Sequence, residues 1–460
     1  MKIEKYNEFL KTKKHNFDNY GFNINREELN NKLFDYQKDL VKWALKKGKC
    51  ALFTMTGTGK TFMQIEWAKQ IYKKIGGKII IFAPLAVNIQ TKKEGEKFGV
   101  KINLAESQDD IIDGINITNY EKLHKFIPES FTAVILDESS ILKNFSGKIK
   151  KKIIDSFMHT RYKLCCSATP APNDFMELGN HAEFLNIMSR NEMLSMFFVN
   201  DTDSTQKWRL KGHGKKRFWE WIASWAAVLE KPSDLGYSDE KFILPDLVVS
   251  EITINKNIPI PGMLFSKMAE TLSERREIRK ITIKERCDIV AEKINKSEDI
   301  FLVWCDLNSE SKYLKKVINN SVEIKGDDRS DYKSKKMIEF SEGKIKCLIT
   351  KPSIAGFGMN WQICNKMFFV GLSDSFEKYF QAVRRCWRYG QQKKVDVFIV
   401  YATGEGNVIK NIKRKEDDSK KMINEIIFFT KKIVKKNVLN KLENKKIYIP
   451  KRYIFPEWLK

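Results

Sequence analysis

Short apolar runs alternate with amphipathic stretches in two parts of the chain. In the first part, from Phe34 to about Asp174, five runs have the length of strands, at residues 50–55, 78–84, 115–120, 131–138 and 162–169. In the second part, which begins near Ile281, four such runs occupy residues 299–305, 345–351, 366–372 and 395–401. Because helical stretches separate consecutive runs, each series predicts β-α-β units and a parallel sheet. The pattern therefore predicts an α/β protein with two parallel-sheet lobes.

The segment between the two lobes has a different character and is rich in Trp, Arg and Lys. Four apolar residues in it recur at helical spacing, Phe218, Trp221, Trp225 and Val228, and favour a helix face packed on a lobe. After Tyr401 the chain becomes Lys-rich, which is typical of a solvated helical tail with one apolar side. We divide the chain into an N-terminal lead (1–30), a first lobe (31–176), a helical insert and linker (177–280), a second lobe (281–405) and a Lys-rich helical tail (406–460).

The charge balance changes the picture because it is strongly positive. The 83 Lys and Arg residues exceed the 58 Asp and Glu residues, which gives a net charge of +25. Such a surplus attracts a polyanion through phosphate contacts and counterion release, so nucleic acid is the expected partner. A solvated, Lys-rich surface without a partner explains the same surplus, so charge alone does not decide between the two interpretations.

Other features of the composition exclude some classes of protein. No stretch of about 18 apolar residues is present, and the basic N-terminus is followed by no apolar run, so we expect a cytoplasmic chain without membrane association. The eight Cys residues form no CxxC pair and are expected to be reduced, buried thiols. The five His residues never fall at metal-ligand spacing, so the expected metal is one carried by a nucleotide.

A glycine-rich turn between the first apolar run and a helix carries the clearest local chemistry. It consists of Thr56, Gly57, Thr58, Gly59, Lys60 and Thr61. Backbone amides at such a helix start cradle phosphate oxygens, and the glycines permit close approach. Lys60 is expected to reach the β and γ phosphates and Thr61 to ligate Mg²⁺. The longer form of this pattern begins with Gly at the position of Thr54. Taken alone, the loop therefore also fits a turn that resembles the pattern by chance.

Two adjacent acids, Asp137 and Glu138, follow a buried apolar run at what we expect to be a strand tip. Asp137 is suited to hold Mg²⁺ through water, and Glu138 to orient and deprotonate the water that attacks a γ phosphate. The alternative is that both acids merely cap the next helix.

A third group of residues lies in the segment QAVRRCWRYGQ, residues 381–391. Arg385 and Arg388 are one helical turn apart and can point into one cleft, where guanidinium groups neutralise transition-state charge. Taken alone, arginines on a helix are mostly surface residues. Taken with the phosphate-binding loop and the acidic pair, they indicate a hydrolytic ATP site.

From Leu33 to Tyr401 the chain resembles superfamily 2 helicases, specifically the Swi/Snf-type DNA translocases, because the motifs occur in that family's order. Residues 34–37 look like the adenine-reading Q motif, 56–61 like motif I, 83–85 like motif Ia, 118–120 like motif Ib, 137–140 like the DEAD or DEAH box, and 167–170 like motif III. Residues 356–360 fit motif V and residues 381–391 fit motif VI. Several of these segments together resemble a helicase-like group familiar from phage and bacterial genomes.

The resemblance implies an architecture and a set of ligands. It implies two RecA-like lobes, ATP and Mg²⁺ as ligands, Gln37 and Gly358 at the nucleotide, and nucleic-acid contacts by Pro84, Leu85, Thr118 and Asn119. The basic cluster of Lys215, Lys216 and Arg217 is a further candidate for phosphate contacts. Ser139 and Ser140 depart from the family pattern, which puts the coupling of hydrolysis to DNA in doubt.

Three functions remain open at this point. The first is an ATP-hydrolysing motor that translocates on double-stranded DNA, which motif VI favours because it ends in Tyr389, Gly390 and Gln391. The second is a strand-separating DNA or RNA helicase, and the third a non-hydrolysing, ATP-dependent clamp. The chain carries no recognisable nuclease or methylase, so such an activity, or one in replication, would come from a protein partner.

Overall fold

The computed structural model describes residues 19–143, 147–171, 174–200, 208–254, 271–356, 359–373 and 375–439. The first lobe is built on a seven-stranded sheet of order β3-β4-β2-β5-β6-β1-β9, and all of its pairings are parallel. Its strands are β1 (Lys49–Thr54), β2 (Lys78–Ala83), β3 (Ile102–Leu104), β4 (Gly114–Asn119), β5 (Phe131–Asp137), β6 (Tyr162–Ser167) and β9 (Ala226–Leu229). The first parallel-sheet lobe that the apolar pattern predicts is thus present.

Both faces of this sheet are buried. Along β1 the side chains of Leu52 and Phe53 point to opposite faces and join two different apolar clusters. A strand covered on both faces is apolar throughout, which is why the central strands are continuous apolar runs in the sequence. The first lobe's early helices are α1 (Asp35–Lys47), α2 (Lys60–Ile75), α3 (Asn88–Lys97) and α4 (Lys148–Ser156).

The second lobe has a six-stranded, all-parallel sheet of order β10-β15-β14-β11-β13-β12. Its strands are β10 (Leu247–Ile254), β11 (Phe301–Trp304), β12 (Ser321–Glu323), β13 (Cys347–Thr350), β14 (Lys366–Phe369) and β15 (Val395–Ala402). Its helices are α8 (Leu272–Ile281), α9 (Ile283–Asn295), α10 (Asn308–Val317), α11 (Ser330–Ser341), α12 (Pro352–Ala355) and α13 (Phe376–Val383). The α/β class with two parallel-sheet lobes is therefore confirmed.

The insert between the lobes is not purely helical, which corrects the sequence expectation for residues 177–280. Its helices are α5 (Leu178–Phe184), α6 (Arg190–Phe197) and α7 (Lys215–Trp225), and β7 (Phe198–Asn200) pairs antiparallel with β8 (Trp208–Leu210). Two further strands of this segment join the lobes, since β9 pairs with β1 and β10 with β15. Both are edge strands. The four residues of β9 are apolar and buried but directly follow the aromatic helix α7, and β10 has only some of its residues partly covered. The exact domain limits stay a prediction.

The aromatic residues of α7 form a large part of the first lobe's core. Phe218, Trp221 and Trp225 are buried in one apolar cluster with residues of β1 and β5, as their helical spacing predicts. Trp219, on the same helix, is also buried and lies against Phe175 and Phe218, with ring centroids 5.0 and 4.8 Å away. Helix α7 therefore belongs to the core of the first lobe.

The Lys-rich tail forms one helix of 34 residues, α14 (Gly406–Leu439), which contacts both lobes. Near its start, Ile409 and Ile412 join the core of the second lobe. Further along, Ile426 and Val434 are buried in clusters of the first lobe. The apolar side predicted from the sequence is thus buried, whereas residues 440–460 of the tail lie outside the described residues.

All eight Cys thiols are free and buried. Among the described residues no helix combines the length and the apolar character that spanning a bilayer requires.

The packing of α7 leads to a stability prediction. Trp219→Ala should lower the free energy of unfolding by about 3 to 5 kcal/mol, because it removes a fully buried ring and leaves a cavity. Denaturant unfolding followed by circular dichroism measures the change. The adjacent, exposed residue supplies the control, since Glu220→Ala should change stability by less than about 0.5 kcal/mol. Equal effects of the two substitutions would contradict a core role for Trp219.

Candidate functional site

The parallel arrangement brings the predicted chemistry to one edge of the first sheet. β1 ends at Thr54 and β5 ends at Asp137, and β6 lies between them in the sheet. Because the carboxyl ends of parallel strands share one edge, the loop after β1 and the acids after β5 meet there. Residues about 80 positions apart in the sequence thus lie in one site.

The glycine-rich loop has the backbone conformation that its glycines allow. Gly57 and Gly59 have φ angles of 89° and 81°, which lie in the left-handed region. Thr54 replaces the usual first Gly and is fully buried, and its Oγ1 accepts a hydrogen bond from Thr58 Oγ1 at 2.8 Å. The departure from the longer pattern therefore adds a contact inside the loop.

Lys60 begins α2 and its ammonium group points back into the loop. Its Nζ donates to the carbonyl oxygens of Thr54 at 2.7 Å and Met55 at 3.1 Å. Burial lowers the pKa of the Lys60 ammonium, and the nearby carboxylates of Glu138 and Asp137 partly offset that effect. An anion that enters the loop would stabilise this buried charge.

The acidic pair occupies a constrained turn. Burial, followed by the neighbouring carboxylate of Glu138, raises the pKa of the Asp137 carboxyl to about 7. Glu138 has a φ of 53°, unusual for a residue with a side chain, and its N–H donates to Asp137 Oδ1 at 3.1 Å. Its Oε2 is buried and has no hydrogen-bond partner among the described residues. In this strained turn, Oε2 of Glu138 can therefore accept a hydrogen bond from a ligand or a water molecule.

Two neighbours hold this turn from behind. The Tyr120 hydroxyl donates to the carbonyl oxygen of Asp137 at 2.6 Å. The Oγ of Ser139 lies 3.2 Å from Nε2 of the buried His181. Burial lowers the pKa of the His181 imidazole to about 4, so this ring is neutral near pH 7. The unusual DESS sequence thus has its own packing partner on α5.

The second lobe completes the site with arginine side chains. Arg385 and Arg388 line the same cavity as Lys60, Asp137 and Glu138. Nη1 of Arg385 and Nη1 of Arg388 each donate to the carbonyl oxygen of Met359, at 3.3 and 3.4 Å. The two guanidinium groups predicted to share one cleft therefore do share it.

Burial and the nearness of other arginines change the pKa values of Arg385 and Arg388. Removal from water, followed by repulsion from Arg385 and Arg384, lowers the pKa of Arg388 to about 9. Burial also lowers the pKa of Arg385, against the opposing attraction of Glu138. Like charges held together in a partly dry site favour the binding of a polyvalent anion.

The cavity between the lobes has a volume of about 350 Å³. The cavity is lined by a Lys, two Arg and the glycine-rich loop. This lining and the cavity's size fit a nucleoside triphosphate. Thr61 and Asp137 supply the oxygen ligands that Mg²⁺ prefers, at the same cavity. Three residues of α3, Gln90, Thr91 and Glu94, also line it, and the motif comparison gave no signal for them.

The Q-motif residues support the loop in this structure. Gln37 Nε2 donates to the carbonyl oxygen of Thr58 at 2.8 Å, and Tyr36 Oη donates to the same atom at 2.6 Å. Gln37 Oε1 accepts the N–H of Phe34 at 2.9 Å, so both ends of the amide have protein partners. The expected reading of adenine by Gln37 stays a prediction.

The residues predicted to contact nucleic acid differ in their solvent exposure. Leu85 is exposed and follows Pro84 at the end of β2, but Thr118 and Asn119 are buried at the end of β4. Asn119 caps the next turn, since its Oδ1 accepts the N–H of Lys122 at 3.2 Å. Direct contact of these two buried residues with nucleic acid would therefore require the strand end to open.

The basic cluster at the start of α7 is only partly free for ligand contacts. Lys215 forms an ion pair with Glu425 of α14 and lies over the ring of Phe429, 5.3 Å from its centroid. Lys216 and Arg217 are exposed. Gly358, predicted at the nucleotide, lies outside the described residues.

Two residues of the site had no distinct signal in the sequence analysis. Arg384 donates through Nε and Nη2 to the side chain and the carbonyl oxygen of Thr56. Tyr389 lies so close to Gly57 that a Cβ on that glycine would be 2.7 Å from Tyr389 Cδ2. Both sit within motif VI, but only the packing of the lobes shows which residue meets the loop.

Comparison with known proteins found one matching family and similar solved structures. Residues 30–172 match the family described as "Type III restriction enzyme, res subunit". A similar solved structure is the Sulfolobus solfataricus SWI2/SNF2 ATPase core in complex with dsDNA, with 18% identity, a TM-score of 0.43, and coverage of 90% of this chain and 98% of that chain. No curated protein matches the chain. The matched residues 30–172 include the glycine-rich loop and the acidic pair.

The loop geometry leads to a prediction on nucleotide binding. Gly59→Ala should weaken nucleotide affinity by at least ~10-fold, because the new Cβ would lie 2.2 Å from Gln37 Nε2 in a left-handed conformation. Titration with a fluorescent ATP analogue measures the affinity. The control is Gly99→Ala, since Gly99 has a φ of 68° and nothing within 4 Å of the added Cβ. Equal losses of nucleotide affinity in both variants would contradict the prediction.

Proposed function

We propose that this protein is an ATP-driven DNA motor that hydrolyses ATP to ADP and phosphate as its two lobes close on the nucleotide. The observation that carries the proposal is the single cavity to which one lobe contributes Lys60, Asp137 and Glu138 and the other Arg385 and Arg388. A site divided between two lobes is completed only when they approach. Hydrolysis and lobe movement are thereby linked.

In this proposal each residue has a separate task. Lys60 and the amides of the loop hold the β and γ phosphates, and Glu138 orients and deprotonates the attacking water. Arg385 and Arg388 neutralise the charge that develops on the γ phosphate. Thr61 and Asp137 would hold Mg²⁺, which supplies charge neutralisation of the phosphates when bound.

Duplex DNA is the favoured track. The surplus of 25 positive charges suits backbone contacts, and the proposal draws on the ending of motif VI and on the dsDNA complex of the similar SWI2/SNF2 core. Leu85, Lys216 and Arg217 are exposed residues suited to such contacts. Strand separation remains the second candidate, since the same core serves both activities.

The acidic pair gives the first test of this function. Glu138→Gln should bind ATP normally but lower turnover at least ~100-fold, because the amide cannot accept the proton of the attacking water. Phosphate release at saturating DNA measures turnover, and the fluorescent analogue measures binding. The matched control is Glu425→Gln on α14, which removes the same charge from a residue that is not among the described lining of the cavity and should leave turnover unchanged. Near wild-type turnover in Glu138→Gln would remove Glu138 as the base.

The choice of track gives the second test. Duplex DNA should stimulate ATP hydrolysis more than single-stranded DNA or RNA, with little sequence dependence and a steep decline as salt rises, because backbone contacts carry no base identity. Hydrolysis rates with each nucleic acid at several salt concentrations measure this.

Movement is measured in the same samples with a third strand bound in the major groove of a duplex. A translocase displaces this strand only with ATP and barely unwinds a forked duplex. Efficient fork unwinding without triplex displacement would favour the helicase, and stimulation by RNA alone would exclude DNA as the track.

A further inference from the structure

Arg384 differs from its two neighbouring arginines in what it contacts. It follows the last residue of α13 and donates through Nη2 to the carbonyl oxygen of Thr56 at 3.1 Å and through Nε to Thr56 Oγ1. Arg385 and Arg388 line the nucleotide cavity, whereas Arg384 is not among its described lining residues. Arg384 therefore reaches the phosphate-binding loop through Thr56.

The surroundings of Arg384 are poor in negative charge. The side chain is buried, and its guanidinium carbon lies 4.9 Å from the ring centroid of Trp387 and 5.8 Å from that of Tyr389. Among the described residues, no carboxylate lies within ion-pair distance of it. The Glu230 carboxylate attracts Arg384 only from beyond ion-pair distance. A buried cation whose hydrogen-bond acceptors are neutral contributes little stability by itself. Its two hydrogen bonds to Thr56 instead hold the phosphate-binding loop in position.

A second contact joins the same two segments. Tyr389 presses against Gly57, the residue that follows Thr56, and its ring also meets Phe242, 5.2 Å away between centroids. Phe242 in turn contacts Tyr36, which donates to the loop at Thr58. The tip of the loop is thus held between Arg384 and Tyr389 from the second lobe and Tyr36 from the first.

We propose that Arg384 is a positioning residue that fixes the tip of the phosphate-binding loop when the lobes are closed, and so makes the loop's catalytic conformation depend on closure. The fork of its guanidinium matches the two oxygen atoms of Thr56, which a point charge cannot reproduce. The inference rests on the proposed ATP hydrolysis. In this role Arg384 acts on the loop, whereas Arg385 and Arg388 face the phosphates.

The contact predicts a specific kinetic pattern. Arg384→Ala should lower kcat by ~10- to 100-fold, the loss expected for hydrogen bonds from a charged donor, with a much smaller change in KM for ATP. Arg384→Lys should be intermediate, because it restores the charge without the fork. Arg414→Ala, which removes an exposed arginine of α14, is the control for the loss of one positive charge and should keep wild-type kinetics.

A double-mutant cycle with Thr56 separates this role from a general structural one. Thr56→Val removes the hydroxyl that Arg384 contacts and keeps the shape of the side chain. In the wild-type background it should lower kcat, and in the Arg384→Ala background it should lower kcat much less, because the partner is already gone. Thermal unfolding of each variant checks that the fold is kept. If Arg384→Ala fails to fold, the cycle is run with Arg384→Lys.

The outcomes are distinct. Non-additive losses in kcat support the positioning role. Independent, multiplying losses, or an unchanged kcat in Arg384→Ala, would overturn it. The proposed function is judged separately by wild-type hydrolysis and by Glu138→Gln, so a chain that does not hydrolyse ATP would fail that test before this one.

Discussion

The site depends on positive charge that two lobes bring together without enough negative charge to balance it. Lys60, Arg384, Arg385 and Arg388 surround a region whose nearby acids include Glu94, Asp137 and Glu138, and burial lowers the pKa of each of the four cations. Such an arrangement is costly until an anion enters it. A triphosphate, the ligand of the proposed function, would offset this cost and would thereby link nucleotide binding to contact between the lobes.

The rest of the fold keeps the lobes in a position to meet. α14 is anchored in the second lobe through Ile409 and Ile412 and in the first through Ile426 and Val434. Lys143 and Glu377 add an ion pair between the lobes, beside α13. A helix of 34 residues anchored at both ends restricts the range of lobe positions. The tail thus joins the two lobes through buried residues near both of its ends.

Much of the candidate site could be predicted because its parts are local. The glycine-rich loop, the acids after β5 and the arginines of motif VI each form short segments whose residue types point to one chemistry. The prediction was weaker for contacts between segments. Gln37 is held by Phe34 and Thr58, and Asn119 caps a turn. Such partners belong to distant or neighbouring backbone atoms, which residue types do not reveal.

The sequence by itself determined the two parallel sheets, because strands buried on both faces must be apolar throughout. It also predicted the glycine-rich loop, the acidic pair and the two arginines that the structure brings to one cavity, because few residue types suit phosphate chemistry. Only the tertiary structure decided that β9 and β10, predicted as insert and linker, complete the two sheets as edge strands. It likewise decided that Arg384 meets Thr56 while Arg385 and Arg388 face the cavity. Three arginines within five positions look alike in sequence, and the lobe that packs against them distinguishes their roles.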